Sequence, residues 1–161
     1  MFDTITDLPV HALVVHAAVV FLPLSVLTAL AFALVPAWRW VLRWPLLAGA
    51  VISLGVAFVT RQSGQWLFAD RYGDSATGEV VTHADRGLLL FWFVLVFFVI
   101  AVAAVFMLGG RTRIAGGKDR EGVAKPLQLV VVVLLVVASV GTGYQTLMTG
   151  DAGARSVWGQ E

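Results

Sequence analysis

The chain carries three histidines, His11, His16 and His83. Imidazole can ligate haem iron, zinc or copper, and it can move a proton near neutral pH. His11 and His16 are five residues apart, about 140° of rotation and about 7.5 Å of rise on a helix. Metal-binding pairs on one helix use spacings of three or four, so these two do not grip one ion from a regular helix. His83 lies in Thr82-His83-Ala84-Asp85-Arg86-Gly87. Thr82 and Asp85 there resemble a helix-start cap, and Gly87 leaves space one turn along.

Haem iron in a membrane bundle is commonly held by two imidazoles from different helices. His16 sits deeper than His11, among Val14, Val15, Ala17 and Ala18, where an unpaired polar group is costly. It is therefore the first choice as partner for His83, with His11 as the alternate. Haem b is the favoured cofactor and a divalent metal the second option. Asp85 is a candidate to orient a ligating imidazole through its second nitrogen. Arg61 and Arg86 are candidates to meet haem propionates or lipid phosphates. Tyr144 and Gln145 can hydrogen-bond His16 in place of a metal. Ser63 and Ser75 lie near acids and His83 in sequence, but no nucleophile-elbow pattern surrounds them, so no enzyme class is indicated.

Four apolar runs must position these groups: residues 10–35, 44–60, 88–108 and 127–148. Each is near the length that crosses hydrocarbon, and in lipid such runs close their own backbone hydrogen bonds as helices. The expectation is an all-α, integral membrane four-helix bundle, up-down-up-down, forming one domain. Odd-numbered helices start on the same side, so His11, His16 and His83 share one end. Pro9, Pro45 and Pro126 mark helix starts, and Pro23 interrupts the first span. Gly49, Ser53 and Ala57, with Ser139, Gly143, Thr146 and Gly150, form small-residue stripes suited to close helix packing or to a flat cofactor. No internal repeat is visible.

Loop charge sets the direction. Arg39 and Arg43 follow the first span, and Arg111, Arg113, Lys118, Arg120 and Lys125 follow the third, whereas the other side carries eight of the ten acidic residues. Basic loops stay in the cytoplasm, which predicts a multi-pass protein of the bacterial plasma membrane with both termini extracytoplasmic. Residues 109–122 read as a glycine-rich cytoplasmic linker, and Trp38, Trp40 and Trp44 as an inner interfacial belt. The outer mouth then collects nearly all the reactive side chains, and the inner half offers little that is polar.

The totals agree. Of 161 residues, 59% are hydrophobic and 13% charged, too little charge for a small soluble domain. Net charge is +1 without a basic block, so no nucleic-acid partner is indicated. Without cysteine there can be no disulfide, thiolate nucleophile, iron–sulfur cluster or covalent haem attachment in the chain.

The pattern Leu8-Pro9-Val10-His11 with His16, then Gly64, then His83 with Gly87, then Gly141-Thr142-Gly143-Tyr144-Gln145, resembles the bacterial membrane-protein family catalogued as domain of unknown function 2231. The likeness runs from Leu8 to Trp158. One departure is visible: the family often has a proline shortly after the second histidine, where Ala17 and Ala18 stand here. The resemblance implies a four-helix integral membrane protein with histidines at signature positions. It brings no agreed activity, although related modules sometimes accompany redox domains.

The expectation is thus a membrane protein with a histidine cluster at its outer face, binding haem or a metal for electron transfer with a redox partner there. The alternative is a structural or accessory subunit without a cofactor. A transporter fits less well, since no ionisable residue lies near the midplane of a span.

Overall fold

Apolar segments in hydrocarbon find no water for their amides, and in the computed structural model each of the four runs is a continuous helix. The structure describes residues 4–5, 8–75, 78–111 and 119–159. The helices are α1 (Val10–Leu34), α2 (Arg39–Arg71), α3 (Glu79–Met107) and α4 (Lys125–Trp158). All four are long and apolar enough to cross a membrane. A two-residue antiparallel ladder, β1 (Thr4–Ile5) with β2 (Leu8–Pro9), precedes them. Each helix packs on the next and α4 returns to α1, which closes an all-α four-helix bundle.

Three helices outrun their apolar windows. The span expected at residues 44–60 is Arg39–Arg71, so Pro45 lies inside α2 instead of at its start. The span expected at 88–108 begins at Glu79, and that expected at 127–148 extends from Lys125 to Trp158. Helices of 33 and 34 residues are about 50 Å long, well beyond a hydrocarbon core of about 30 Å. Packing carries them on: Ser63 and Ala152 are buried about one turn past the apolar runs. Of the linker expected at 109–122, residues 112–118 lie outside the described residues. Its flanks pair, with Gly110 and Arg120 exchanging N–H···O bonds of 3.0 Å.

The main core fills the half of the bundle away from the histidines, with Phe32, Leu46, Phe97, Val105 and Leu135 at its centre. A smaller cluster of Leu22, Ala57 and Val94 lies nearer the histidine end. Between helices, the Gly49 backbone lies so close to α1 that a Cβ there would stand 2.8 Å from the Ser25 hydroxyl. The Ser53 hydroxyl donates to that of Ser25 at 2.9 Å. This small-residue stripe of α2 therefore serves helix packing.

Arg39 and Arg43 correct the expectation of loop charges and of a nonpolar inner half. Both lie in α2 and are buried. Arg39 donates from Nε to the Phe32 carbonyl at 3.1 Å and from its terminal nitrogens to Ala33 at 3.1 Å and Gly109 at 3.2 Å. Arg43 donates to the carbonyls of Val105 and Leu108. The last carbonyls of a helix have no partner within it and carry partial negative charge. Each guanidinium fork therefore caps the C-terminus of one helix, Arg39 that of α1 and Arg43 that of α3.

The bundle is also built twice. A shift of 72 residues carries α1 onto α3 and a shift of 89 carries α2 onto α4, so that contacts recur pair by pair. The Ser53 hydroxyl lies 3.4 Å from the Phe21 carbonyl, and its counterpart Thr142 donates to the Phe93 carbonyl at 3.3 Å. Buried positions coincide as well: Leu22 with Val94, Ala29 with Ala101, Leu46 with Leu135 and Ser63 with Ala152. The two helical hairpins are equivalent halves about a pseudo-twofold axis along the bundle. Sequence inspection missed this because the two shifts differ and few residue identities are shared.

Candidate functional site

His11, in the first turn of α1, and His83, in the second turn of α3, meet at the end of the bundle where both helices begin. Their ring centres are 6.2 Å apart and the ring planes lie at 72° to one another. The two rings are held in the same way. His11 Nδ1 lies 3.1 Å from the Thr60 carbonyl of α2, and His83 Nδ1 lies 3.1 Å from the Thr149 carbonyl of α4. A carbonyl only accepts, so each Nδ1 carries the hydrogen and each neutral ring keeps its lone pair on Nε2. Among the described residues neither Nε2 has a hydrogen-bond partner. That is the tautomer a ligating or proton-accepting imidazole needs.

One turn beyond each carbonyl stands a glycine on which the ring lies. A Cβ at Gly64 would be 2.9 Å from His11 Cε1, and one at Gly153 would be 2.9 Å from His83 Cε1. Each half of the bundle thus supplies a Thr-x-x-x-Gly segment, Thr60–Gly64 or Thr149–Gly153, as a seat for one imidazole. Ser63 Oγ donates to the Val59 carbonyl at 2.8 Å and stands 3.4 Å from His11 Nδ1. Reading the chain for histidines alone misses these seats. The repeated Thr-x-x-x-Gly is the signal that identifies them.

Between the rings lies a cavity of about 490 Å³, within the range of small-molecule sites. The apolar residues Leu22, Ala57, Leu90 and Phe91 line much of it. Its polar lining includes the two histidines, Arg61, Gln65, Asp85 and the threonines of the seats. The equivalence of the hairpins extends here, since Ala18 pairs with Leu90 and Ala57 with Thr146, and all four line the cavity. The cavity therefore straddles the pseudo-axis.

The other residues singled out from the sequence take varied places. The structure does not bring His16 to His83. The His16 ring is exposed and its Nδ1 bonds back to the Ala12 carbonyl at 2.6 Å on its own helix. The 140° between it and His11 turns one ring into the bundle and the other out. Gln145 is buried, and its side-chain amide donates to the Arg86 carbonyl at 3.2 Å, joined there by the Thr149 hydroxyl at 3.2 Å. Arg86 thus contributes its backbone to α3–α4 packing. Tyr144 is 61% exposed and does not line the cavity. Asp85 is exposed at the mouth, and carbonyls, not a carboxylate, orient the imidazoles. Arg61 lines the cavity with its Cζ 4.9 Å from the centre of the Phe91 ring. Its Nε is buried without a hydrogen-bond partner among the described residues.

Among the described residues, no group of three or more His, Cys, Asp or Glu side chains is arranged to hold a metal ion. No curated protein and no solved structure matches the chain. The family model described as "Predicted membrane protein (DUF2231)" matches residues 7–161. On that match, with four helices fit to span a bilayer, this chain belongs to the DUF2231 family of predicted membrane proteins.

Proposed function

We propose that His11 and His83 would hold a b-type haem at the extracytoplasmic end of the bundle, where it would serve electron transfer. The observation carrying this reading is the approach of the two rings to 6.2 Å with each Nδ1 engaged by a carbonyl. Both rings stand at one cavity with Nε2 unengaged among the described residues, so both would be available to a single group held there. Two imidazoles are the full protein share of a haem, whereas a structural zinc takes four protein ligands and a catalytic one three. A tetrapyrrole brings the remaining four nitrogens itself. When bound, the group supplies one-electron redox chemistry, exchanged with a partner at the outer face. The seats on Gly64 and Gly153 hold the rings, and the apolar walls exclude water and shield the ligands.

The orientation belongs to the same proposal: both termini outside a bacterial plasma membrane, with Arg111, Arg120 and Lys125 at the cytoplasmic end. The bilayer is a partner of this surface in any orientation.

Haemin added to the purified protein in detergent tests the reading. The expected result is a Soret band that sharpens on reduction. It is lost in His11→Asn and in His83→Asn and retained in His16→Asn. Protein that takes up no haemin overturns the proposal.

A second reading has its own observation. Each imidazole also ties two helices together, His11 joining α1 to α2 and His83 joining α3 to α4. On that reading the histidines are interhelical clasps in an accessory subunit. Asparagine separates the two, because its amide nitrogen can replace Nδ1 as donor but offers nothing in place of Nε2.

A further inference from the structure

The two halves of the site share their histidine seats but differ in charge where the walls meet the cavity. Across the pseudo-axis Arg61 of α2 corresponds to Gly150 of α4, and Phe91 of α3 corresponds to Val19 of α1; all four line the cavity. One flank therefore presents a guanidinium stacked near an aromatic ring, and the other presents open space and an aliphatic side chain. Within the apolar wall Arg61 makes no ion pair or hydrogen bond among the described residues, and its Nε is buried without a partner. A cation kept half-buried without an anion is costly. The nearby carboxylate of Asp85 is exposed at the mouth instead of paired with it.

We infer that Arg61 anchors the anionic group of whatever the histidines hold, and so sets which way round it sits between two matching histidine seats. This rests on the haem reading and deepens it: the ligand carries carboxylates along one edge, and that edge faces α2 and α3. A guanidinium takes a carboxylate through two parallel hydrogen bonds, and burial strengthens the contact. A bare divalent cation would meet repulsion at the same place.

The test compares haemin with its dimethyl ester, in which the carboxylates are uncharged, by spectroscopic titration of the purified protein. Wild type should bind haemin tenfold or more tighter than the ester. Arg61→Gln should remove that preference while keeping the Soret band and the helical content. A Cβ at Gly150 would meet nothing within 4 Å, so the transposed variant R61G/G150R should regain the preference from the opposite flank. If wild type binds both forms and does so equally, or Arg61→Gln keeps the preference, Arg61 is not the anchor and the histidine reading stands. If neither form binds any variant, both proposals fall.

Discussion

His11 and His83 occupy the same position in two equivalent hairpins, each bonded through Nδ1 at 3.1 Å to a carbonyl one turn before a glycine. The pair is thus a property of how the halves meet. Each half turns one imidazole into the cavity, and the free Nε2 atoms share that cavity only because α1 and α3 both begin at this end.

The glycine seats give the first prediction. Alanine in a helix interior normally gains about 0.5–1 kcal/mol over glycine. At Gly64 or Gly153 the new Cβ would meet the imidazole at 2.9 Å and push it off its carbonyl. Gly64→Ala and Gly153→Ala should lower the thermal stability in detergent and weaken haemin binding. Gly55→Ala and Gly150→Ala, where nothing lies within 4 Å, should be neutral or slightly stabilising.

The arginine caps give the second. Arg39→Lys and Arg43→Lys should both destabilise, because an ammonium cannot span two or three carbonyls as a planar fork does. Each carbonyl left bare in the interior costs about 1–3 kcal/mol. Unfolding in mixed detergent, followed by circular dichroism, should place both variants at least about 2 kcal/mol below wild type. Arg155→Lys, in an exposed pair with Asp151, should change stability by less than about 0.5 kcal/mol.

Close packing of α1 on α2 gives the third. Gly49→Ala places a methyl 2.8 Å from the Ser25 hydroxyl but an ordinary 3.5 Å from its Cβ. The substitution should destabilise alone, and much of the loss should vanish in the Ser25→Ala background. A double-mutant cycle measures this, and additive effects would contradict the contact.

Topology gives the fourth. The chain has no cysteine, so single cysteines report without background. In intact cells a membrane-impermeant maleimide should label Tyr72→Cys and Trp158→Cys. It should label Trp38→Cys, at the other end of the bundle, only after the membrane is broken. The reverse pattern would place the histidine cavity on the cytoplasmic side.

The sequence alone was enough for the four spans, the all-α class and the start of α1 and α3 at a common end, because hydropathy and chain direction are one-dimensional properties. A helix in lipid must satisfy its own backbone, and alternation does the rest. Tertiary structure decided the partners. His11 and His16 differ by 140° about one helix, and only the neighbours at Thr60 and Gly64 determine which of the two turns inward. Arg39 and Arg43 read as loop charges until the ends of α1 and α3 come close enough to be capped. The twofold relation was invisible for a related reason. It is a pattern of contacts across unequal shifts, carried largely by backbone carbonyls, and these have no letter of their own in a sequence.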